Sequence, residues 1–595
     1  MIFQKIQIEE KVARIFCDSI IIRIKVVRIF ILILFYCSIS QVNNISAQQS
    51  NSIDSILNKI IWQDKFEGKE LVGWKVIDDL KDEPSDWKLD NGFLIQLTDV
   101  GSPEKFLGTH ITTGDKNWKN ITIETNFIYT DDDLMGIIFR YQDENNYYRF
   151  LISFKEKLIL LNKKVAGKNI EIAKKENSPL SSAKFNSIIC LKEDSINIYL
   201  NDEKIFSLTD NQFKTGKIGF TSLGNLASFF DDVTVYSEYK YAEKIIEPAI
   251  VRGPYLQSVL SDSAVIMWNT NYDCESEIEF GTNKENPKII KSNKTTKLHE
   301  VAIKNLQPDT KYFYRVNSGN IISDWSSLKS APKKNSPFSF ILYGDNQLNF
   351  LRHKDIINNF SKKEFDFIVS NGDVVQRGMR EDWDTEFFEP LKNVLREKPF
   401  YSAIGNHELN SPYFYQNFSY PNAEHENYYS FSYSNCFFIF IDNPRNAYPK
   451  REVYEDFKEG SKQYDWLKNQ LASEDAKKSE WLFVISHVPS HPFAFGNVFP
   501  DGEKYLLPLF DQYQVDINFS GHSHGYERSK IKDSYYIISA GGGGALSKKK
   551  DPGPKMYGKF LRDYNYCHLS IEGNTLSFRA YDIMDKIIDE FSITK

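Results

Sequence analysis

Cysteine is scarce in this chain. It holds six in 595 residues, and Cys17 and Cys37 lie within the first 47. The others are Cys190, Cys274, Cys436 and Cys567. Only Cys436 and Cys567 share a proposed segment, so a disulfide-dense scaffold is excluded and buried free thiols are expected. Long apolar runs are missing as well. The one membrane-seeking stretch, IFILILFYCSIS at 29–40, is 12 residues long, and a spanning helix needs about 20. Positive charge is in deficit: 73 Lys+Arg stand against 80 Asp+Glu, a net of −7. Nothing in that balance attracts a polyphosphate backbone, so no nucleic-acid binding is expected. No internal repeat is present. What abounds is aromatic: 44 Phe and 33 Tyr bring the aromatic fraction to 14%, which favours strand-rich, well-buried architecture. The 41% apolar content excludes a mainly disordered chain. At roughly 150 residues per domain, three or four domains are expected.

Arg23, Lys25 and Arg28 precede the apolar stretch, and Ile45-Ser46-Ala47 follows it. Cations, a short apolar run and a small residue make a secretory signal. Residues 1–47 are expected to be removed, which makes the protein secreted, periplasmic or cell-surface, with no stable membrane span in the mature chain. Losing six Lys/Arg and three Asp/Glu deepens the net charge from −7 to −10.

From about 60 to 238 the chain alternates apolar and polar residues, as in Ser195-Ile196-Asn197-Ile198-Tyr199-Leu200. Period two marks half-buried strands. The runs INIYLND, GKIGF and FFDDVTVY resemble the concanavalin-A-like (laminin-G-like) jelly-roll sandwiches. That resemblance implies a glycan as a partner for this sandwich. No E-x-D-x-x-E strand of the kind used in glycan hydrolysis is present. The acidic Asp131-Asp132-Asp133 reads as a solvated turn, and Trp62, Trp74, Trp87 and Trp118 read as core packing.

Residues 248–335 form a second module. Leu306-x-Pro308-x-Thr310-x-Tyr312-x-Tyr314-x-Val316 is the tyrosine-corner pattern of fibronectin-III-like sandwiches. VRGPYLQSV at 251–259 resembles the opening of the N-terminal domain of purple acid phosphatases.

From 337 to 595 strand-like and helical runs alternate, which predicts helices packed on sheets. Strands are expected at 338–343, 365–370, 400–404, 436–441, 481–486, 515–519 and 535–539, with helices at 349–363, 385–397, 461–474 and 505–513. Eight of the ten histidines lie between His353 and His568. Five strand-like runs end in ligand-type side chains: Gly344-Asp345-Asn346-Gln347, Gly372-Asp373, Gly405-Asn406-His407-Glu408, His487, and Gly521-His522-Ser523-His524. Sites in open α/β folds form at the carboxyl ends of strands. Carboxylate, amide and imidazole without competing thiolate suit borderline-hard divalent or trivalent metals.

The order GDxQ, GDxx, GNHE, xxxH, GHxH resembles the calcineurin-like metallophosphoesterases, and GHSHGYER at 521–528 resembles their purple acid phosphatase branch. The resemblance implies a four-layer α/β/β/α domain and two metal ions. Asp345, Asp373 and His524 would hold the first, with Gln347 as a further ligand. Asp373, Asn406, His487 and His522 would hold the second, with Asp373 as the bridge. It implies hydrolysis of phosphate monoesters by a metal-bound hydroxide, with His407 as general acid. Glu408 would orient the His407 imidazole, and His491 would reach substrate or share in proton transfer. The residue three after the bridging Asp is Gln376, where purple phosphatases carry a tyrosine ligand. A purple ferric centre is therefore not expected, and iron, manganese and zinc remain open. Arg377 reads as a surface ion pair, and the glycines at 541–544 as a flexible turn. Two other readings are carried: a phosphodiesterase or nucleotide hydrolase on the same metals, and a glycan-binding or adhesion protein with an inactive phosphatase domain.

Overall fold

The computed structural model describes residues 58–595 except 132, 179–183, 240–246, 424–425, 447–456, 492–500 and 548–557. The expected signal segment lies outside the described residues. Among those described, no helix is long and apolar enough to cross a membrane.

The alternation of the first segment resolves into an eight-stranded and a seven-stranded antiparallel sheet, the two halves of a β-sandwich. In Ser195–Leu200 the isoleucines and the leucine are buried and the residues between them half-buried, the period-two rule in one strand. Phe220 and Phe230 pack with ring centroids 4.3 Å apart in the core. Trp74 stacks on Phe220 at 5.6 Å and Trp87 on Phe230 at 6.0 Å. Trp62 lies 6.1 Å from Trp74 and 5.9 Å from Trp118. All four tryptophans thus pack within or against the core. The acidic loop departs from a solvated turn. Asp131 is half-buried, and its Oδ2 accepts the Leu226 N–H at 2.7 Å.

In the second module the 19-residue strand Ser263–Gly281 carries the architecture. Its first half pairs with Ile250–Gln257 and its second half with Lys311–Ser318, and its register with Lys288–Lys304 shifts between Asn269 and Cys274. Trp268 centres the core, donating to Ser318 Oγ at 2.7 Å. The Gln307 N–H donates to the Tyr312 hydroxyl at 2.8 Å, which closes the tyrosine corner. Cys190, Cys274, Cys436 and Cys567 are all free.

The last segment holds two facing sheets. One runs in the order Phe400–Ser402, Phe367–Ser370, Phe338–Tyr343, Asn565–Glu572, Thr575–Asp582, Ile587–Thr594. The other runs Tyr429–Tyr433, Cys436–Phe440, Trp481–Ile485, Ile517–Ser520, Ser534–Ser539, Tyr526–Ile531, Gly558–Leu561. Phe340 of the first sheet meets Phe438, Phe483 and Phe519 of the second with centroids 5.6, 6.3 and 6.4 Å away. Helix Phe350–Phe360, capped by the Asn349 side chain, lays Ile356 and Phe360 on the first sheet. Helices Lys462–Leu471 and Leu507–Gln512 cover the second through Leu467, Leu471, Leu509 and Phe510. The layers are therefore α/β/β/α.

Two expected helices differ from their spans for one reason. A π-helical turn, Trp383–Phe388, precedes the α-helix Glu389–Leu395, and another, Gly502–Leu506, precedes Leu507–Gln512. Each α-helix has proline second, Pro390 and Pro508. Proline offers no N–H and crowds the carbonyl four residues back. The residue before it donates five back instead, Glu389 to Asp384 and Leu507 to Gly502. The hairpin partner Tyr429–Tyr433 and the three C-terminal strands of the first sheet are additions to the expected set.

Candidate metal centre

The strand ends converge. Phe338–Tyr343, Phe367–Ser370 and Phe400–Ser402 run parallel, as do Cys436–Phe440, Trp481–Ile485 and Ile517–Ser520. Their carboxyl ends therefore meet at one rim. Gly344-Asp345, Gly372-Asp373, Gly405-Asn406, His487 and Gly521-His522 leave the sheets there. The loops are bonded to one another: Asp345 N–H donates to the Gly372 carbonyl at 2.9 Å, and Gly521 N–H to the His487 carbonyl at 2.9 Å. Asp345, Asp373 and His522 hold left-handed backbone with φ of 55°, 51° and 67°, conformations that cluster at functional sites. A Cβ on Gly405 would stand 2.2 Å from Asp373 Oδ1, so no side chain fits there.

Two sets of donors result. One is Asp345, Asp373 and His524, the other Asp373, His487 and His522, and within each the ligand atoms lie within 4.8 Å of one another. Asn406 joins the second: its Oδ1 lies 2.9 Å from His487 Nε2 and 2.8 Å from His522 Nδ1. His487 Nε2 also lies 3.1 Å from Asp373 Oδ2, and His524 Nε2 lies 3.3 Å from Asp345 Oδ1. Asp373 belongs to both sets. Gln347 reaches the first set, with Nε2 3.4 Å from His524 Nε2 and its Oε1 buried without a hydrogen-bond partner.

Backbone groups aim these side chains. Nδ1 of His487 faces the Asn371 carbonyl at 2.8 Å, and Nδ1 of His524 faces the Ala545 carbonyl at 2.6 Å. A carbonyl can only accept, so each Nδ1 carries the proton and each Nε2 presents its lone pair inward. The His407 and His522 N–H groups donate to Asp373 Oδ1 and Asp345 Oδ1, each at 2.8 Å. The second oxygen of Asp345, Oδ2, is fully buried with no donor. A buried carboxylate oxygen left bare beside inward-facing imidazole lone pairs fits a cation. Burial opposes charge on His487, but the Asp373 carboxylate outweighs it and lifts the imidazole to about 9, so a cation bound at Nε2 would take the place of that proton. Burial, then the His487 charge, pushes His522 down to about 3.

Three expected readings change, those of Glu408, Arg377 and the glycines at 541–544. Glu408 does not touch the His407 ring. Its carboxylate accepts backbone N–H groups from Asp373 at 3.0 Å, Val374 at 2.7 Å and Gly405 at 2.6 Å, which ties two ligand loops together. Burial, then the Asp373 charge, raises it to about 8. The group that orients His407 is the Gln376 carbonyl, 2.6 Å from Nδ1. His491 places its Nδ1 2.6 Å from Glu503 Oε1. Arg377 is no surface ion pair: its side chain is 11% exposed and that of its partner Asp382 is 0% exposed. The glycines are no flexible turn either. Gly542 N–H donates to the Gly344 carbonyl at 2.9 Å and Gly544 N–H to that of Asp345 at 2.8 Å. Asn371, Ala545 and the Gln376 carbonyl were not singled out by sequence reasoning. The only signal they carried was adjacency to the ligand clusters.

Comparison with known proteins assigns each segment. Residues 338–526 match the calcineurin-like phosphoesterase family, 253–330 the purple acid phosphatase N-terminal domain, and 61–236 the 3-keto-alpha-glucoside-1,2-lyase-like domain. Probable purple acid phosphatase 20 of Arabidopsis thaliana is 26% identical over 303 residues, 46% of this chain and 66% of its own. Probable inactive purple acid phosphatase 1 of the same plant is 27% identical over 366 residues, 50% of this chain and 58% of its own. The chain thus spans less than two thirds of either relative. A purple acid phosphatase from yellow lupin (Lupinus luteus) seeds shares the fold at 15% identity. The TM-score is 0.54, with 88% of this chain and 95% of the lupin chain covered. The stretch that matches the calcineurin-like phosphoesterase family thus carries Asp345, Asp373, Asn406, His487, His522 and His524, and the segment before it matches the purple acid phosphatase N-terminal domain.

Proposed function

We propose that this protein hydrolyses phosphate monoesters at a two-metal site, acting outside the cytoplasm once residues 1–47 are removed. The observation that carries the reading is the convergence of Asp345, Asp373, Asn406, His487, His522 and His524 from five strand ends, with Asp373 shared between two donor sets. Asp345, Asp373, His524 and Gln347 would hold one ion, and Asp373, Asn406, His487 and His522 the other. Iron, manganese and zinc all suit these donors. Such ions would supply Lewis acidity toward water and the phosphoryl oxygens.

The chain's own residues supply the rest. The His407 N–H holds Asp373 Oδ1 in place. With Nδ1–H committed to the Gln376 carbonyl, the exchangeable proton of His407 sits on Nε2 of its half-buried ring. His407 gives that proton to the departing alcohol oxygen as general acid. Glu408 holds the loops that carry Asp373 and Asn406 at a fixed separation. Gln376 is an amide, not a phenol, so a purple charge-transfer band is not expected.

The test is phosphate release from p-nitrophenyl phosphate. Asp373→Asn removes the shared ligand and is expected to abolish it, while His407→Ala is expected to cut release from phenyl phosphate, whose leaving oxygen needs the proton, by about 100-fold or more with metal retained. Full activity in Asp373→Asn would overturn the reading. Turnover of bis(p-nitrophenyl) phosphate above that of the monoester would replace it with a diesterase. A chain that holds no metal and releases no phosphate would place it with the inactive relatives.

A further inference from the structure

The jelly-roll sandwich is built into the surroundings of the site. Asp90 pairs with Arg352, and Phe93 and Phe229 meet Phe350 with centroids 5.5 and 4.9 Å away. Leu348, Phe350 and Leu351 share one buried cluster with Ile95, Ile128, Ala227 and Phe229. That cluster sits directly behind the loop that bears Asp345 and Gln347.

A second contact reaches the other loop. Arg377 enters the sandwich. Its Nη1 donates to the Asp131 carbonyl at 2.7 Å, and its guanidinium lies 4.4 Å from the Phe154 ring centroid and 5.5 Å from that of Tyr129. On the phosphoesterase side it pairs with the buried Asp382, which also accepts the Arg377 N–H at 3.1 Å. The neighbouring Gln376 N–H donates to Glu386 Oε2 at 2.7 Å. Gly378, at φ 62°, presses its α-carbon on the next turn: a Cβ there would stand 2.3 Å from the Glu408 carbonyl oxygen. Gln376-Arg377-Gly378 thus forms a cradle under His407-Glu408, and its floor is the sandwich.

We propose that Arg377 is the positioning residue of the general acid, anchoring on the jelly-roll domain the peptide whose carbonyl aims the His407 imidazole. The proposal rests on the phosphatase reading above. It gives the first domain a part in catalysis that needs no ligand of its own.

Leaving-group dependence separates this role from a merely structural one. An acid that protonates the leaving oxygen matters most when that oxygen leaves poorly. Phenyl phosphate needs the proton, and p-nitrophenyl phosphate needs it far less. Two full-length variants serve: Arg377→Lys, which keeps a cation for Asp382 but loses the planar fork, and Phe154→Leu, which removes the ring from within the sandwich. In both, kcat for phenyl phosphate is expected to fall by about 10-fold or more while that for p-nitrophenyl phosphate falls by less than about 3-fold. Bound metal and far-ultraviolet circular dichroism should match the wild type. Equal losses on both esters, or no loss on either, would overturn the proposal. A wild-type protein that turns over neither ester would overturn the phosphatase reading, and this one with it.

Discussion

Asp345 and Asp373 keep strained left-handed backbone, and both carboxylates are buried, at 0% and 1% exposure. Strain of this kind costs about 1–3 kcal/mol per residue and persists only where the surroundings enforce it. At Asp373, Glu408 enforces it, by accepting N–H groups from both sides of the gap between Asp373 and Gly405. Glu408→Gln puts an amide NH2 against those donors. The expected result is a metal affinity lower by about 10–100-fold and a fold weakened by about 1–3 kcal/mol, read by metal titration and by denaturant unfolding. An unchanged metal affinity would mean that the clamp plays no part in the site. The sequence marks the candidate ligands because each depends on its side-chain type. It cannot name what aims them. The acceptors for His407, His487 and His524 are the carbonyls of Gln376, Asn371 and Ala545, and a carbonyl belongs to every residue alike. Glu408 was misassigned for a related reason: adjacency in the chain says nothing of direction, and its side chain turns back to the backbone while the His407 ring does not follow.

The elements were legible where a run is buried on both faces. FSFILY, WLFVI and INFS read as interior strands and are so in the fold. They pack as a layer of phenylalanines between the two sheets, with Phe340 at its centre. Phe340→Ala is expected to destabilise the protein by about 3–5 kcal/mol, since the surrounding rings cannot close the space. Denaturant unfolding measures it, and a loss below about 1 kcal/mol would contradict the packing described. Edge and hairpin strands were harder to read. Thr575–Asp582 and Ile587–Thr594 alternate buried with more exposed positions and carry Arg579 and Glu590 outward, so they join the sheet without forming an apolar run. The π-helical turns escaped the 3.6-residue pattern, which carries no sign of a hydrogen bond reaching five residues back. Pro390 and Pro508 were the available cue.

At the scale of the molecule, the site is not the property of one domain. The fibronectin-like module is fastened to the phosphoesterase domain through Arg252, which bonds Asp384 and Asn417 at 2.8 Å each and covers the Phe388 ring at 4.3 Å. The sandwich is fastened through Arg352, Phe350 and Arg377. None of these pairings could be read from the chain, because their partners are remote in sequence and neither member is marked as an interface residue. The order of the segments and the ligand clusters was readable. The acidic balance, −7 overall, finds its answer at the same scale: two cations in the rim would supply the positive charge that an anionic ester needs. Elemental analysis of the purified full-length protein, paired with phosphate release before and after chelation, tests that claim most directly. Two metal ions per chain are expected, with activity lost on chelation and recovered when metal is restored. Phosphate release that persists unchanged in metal-stripped protein would contradict it.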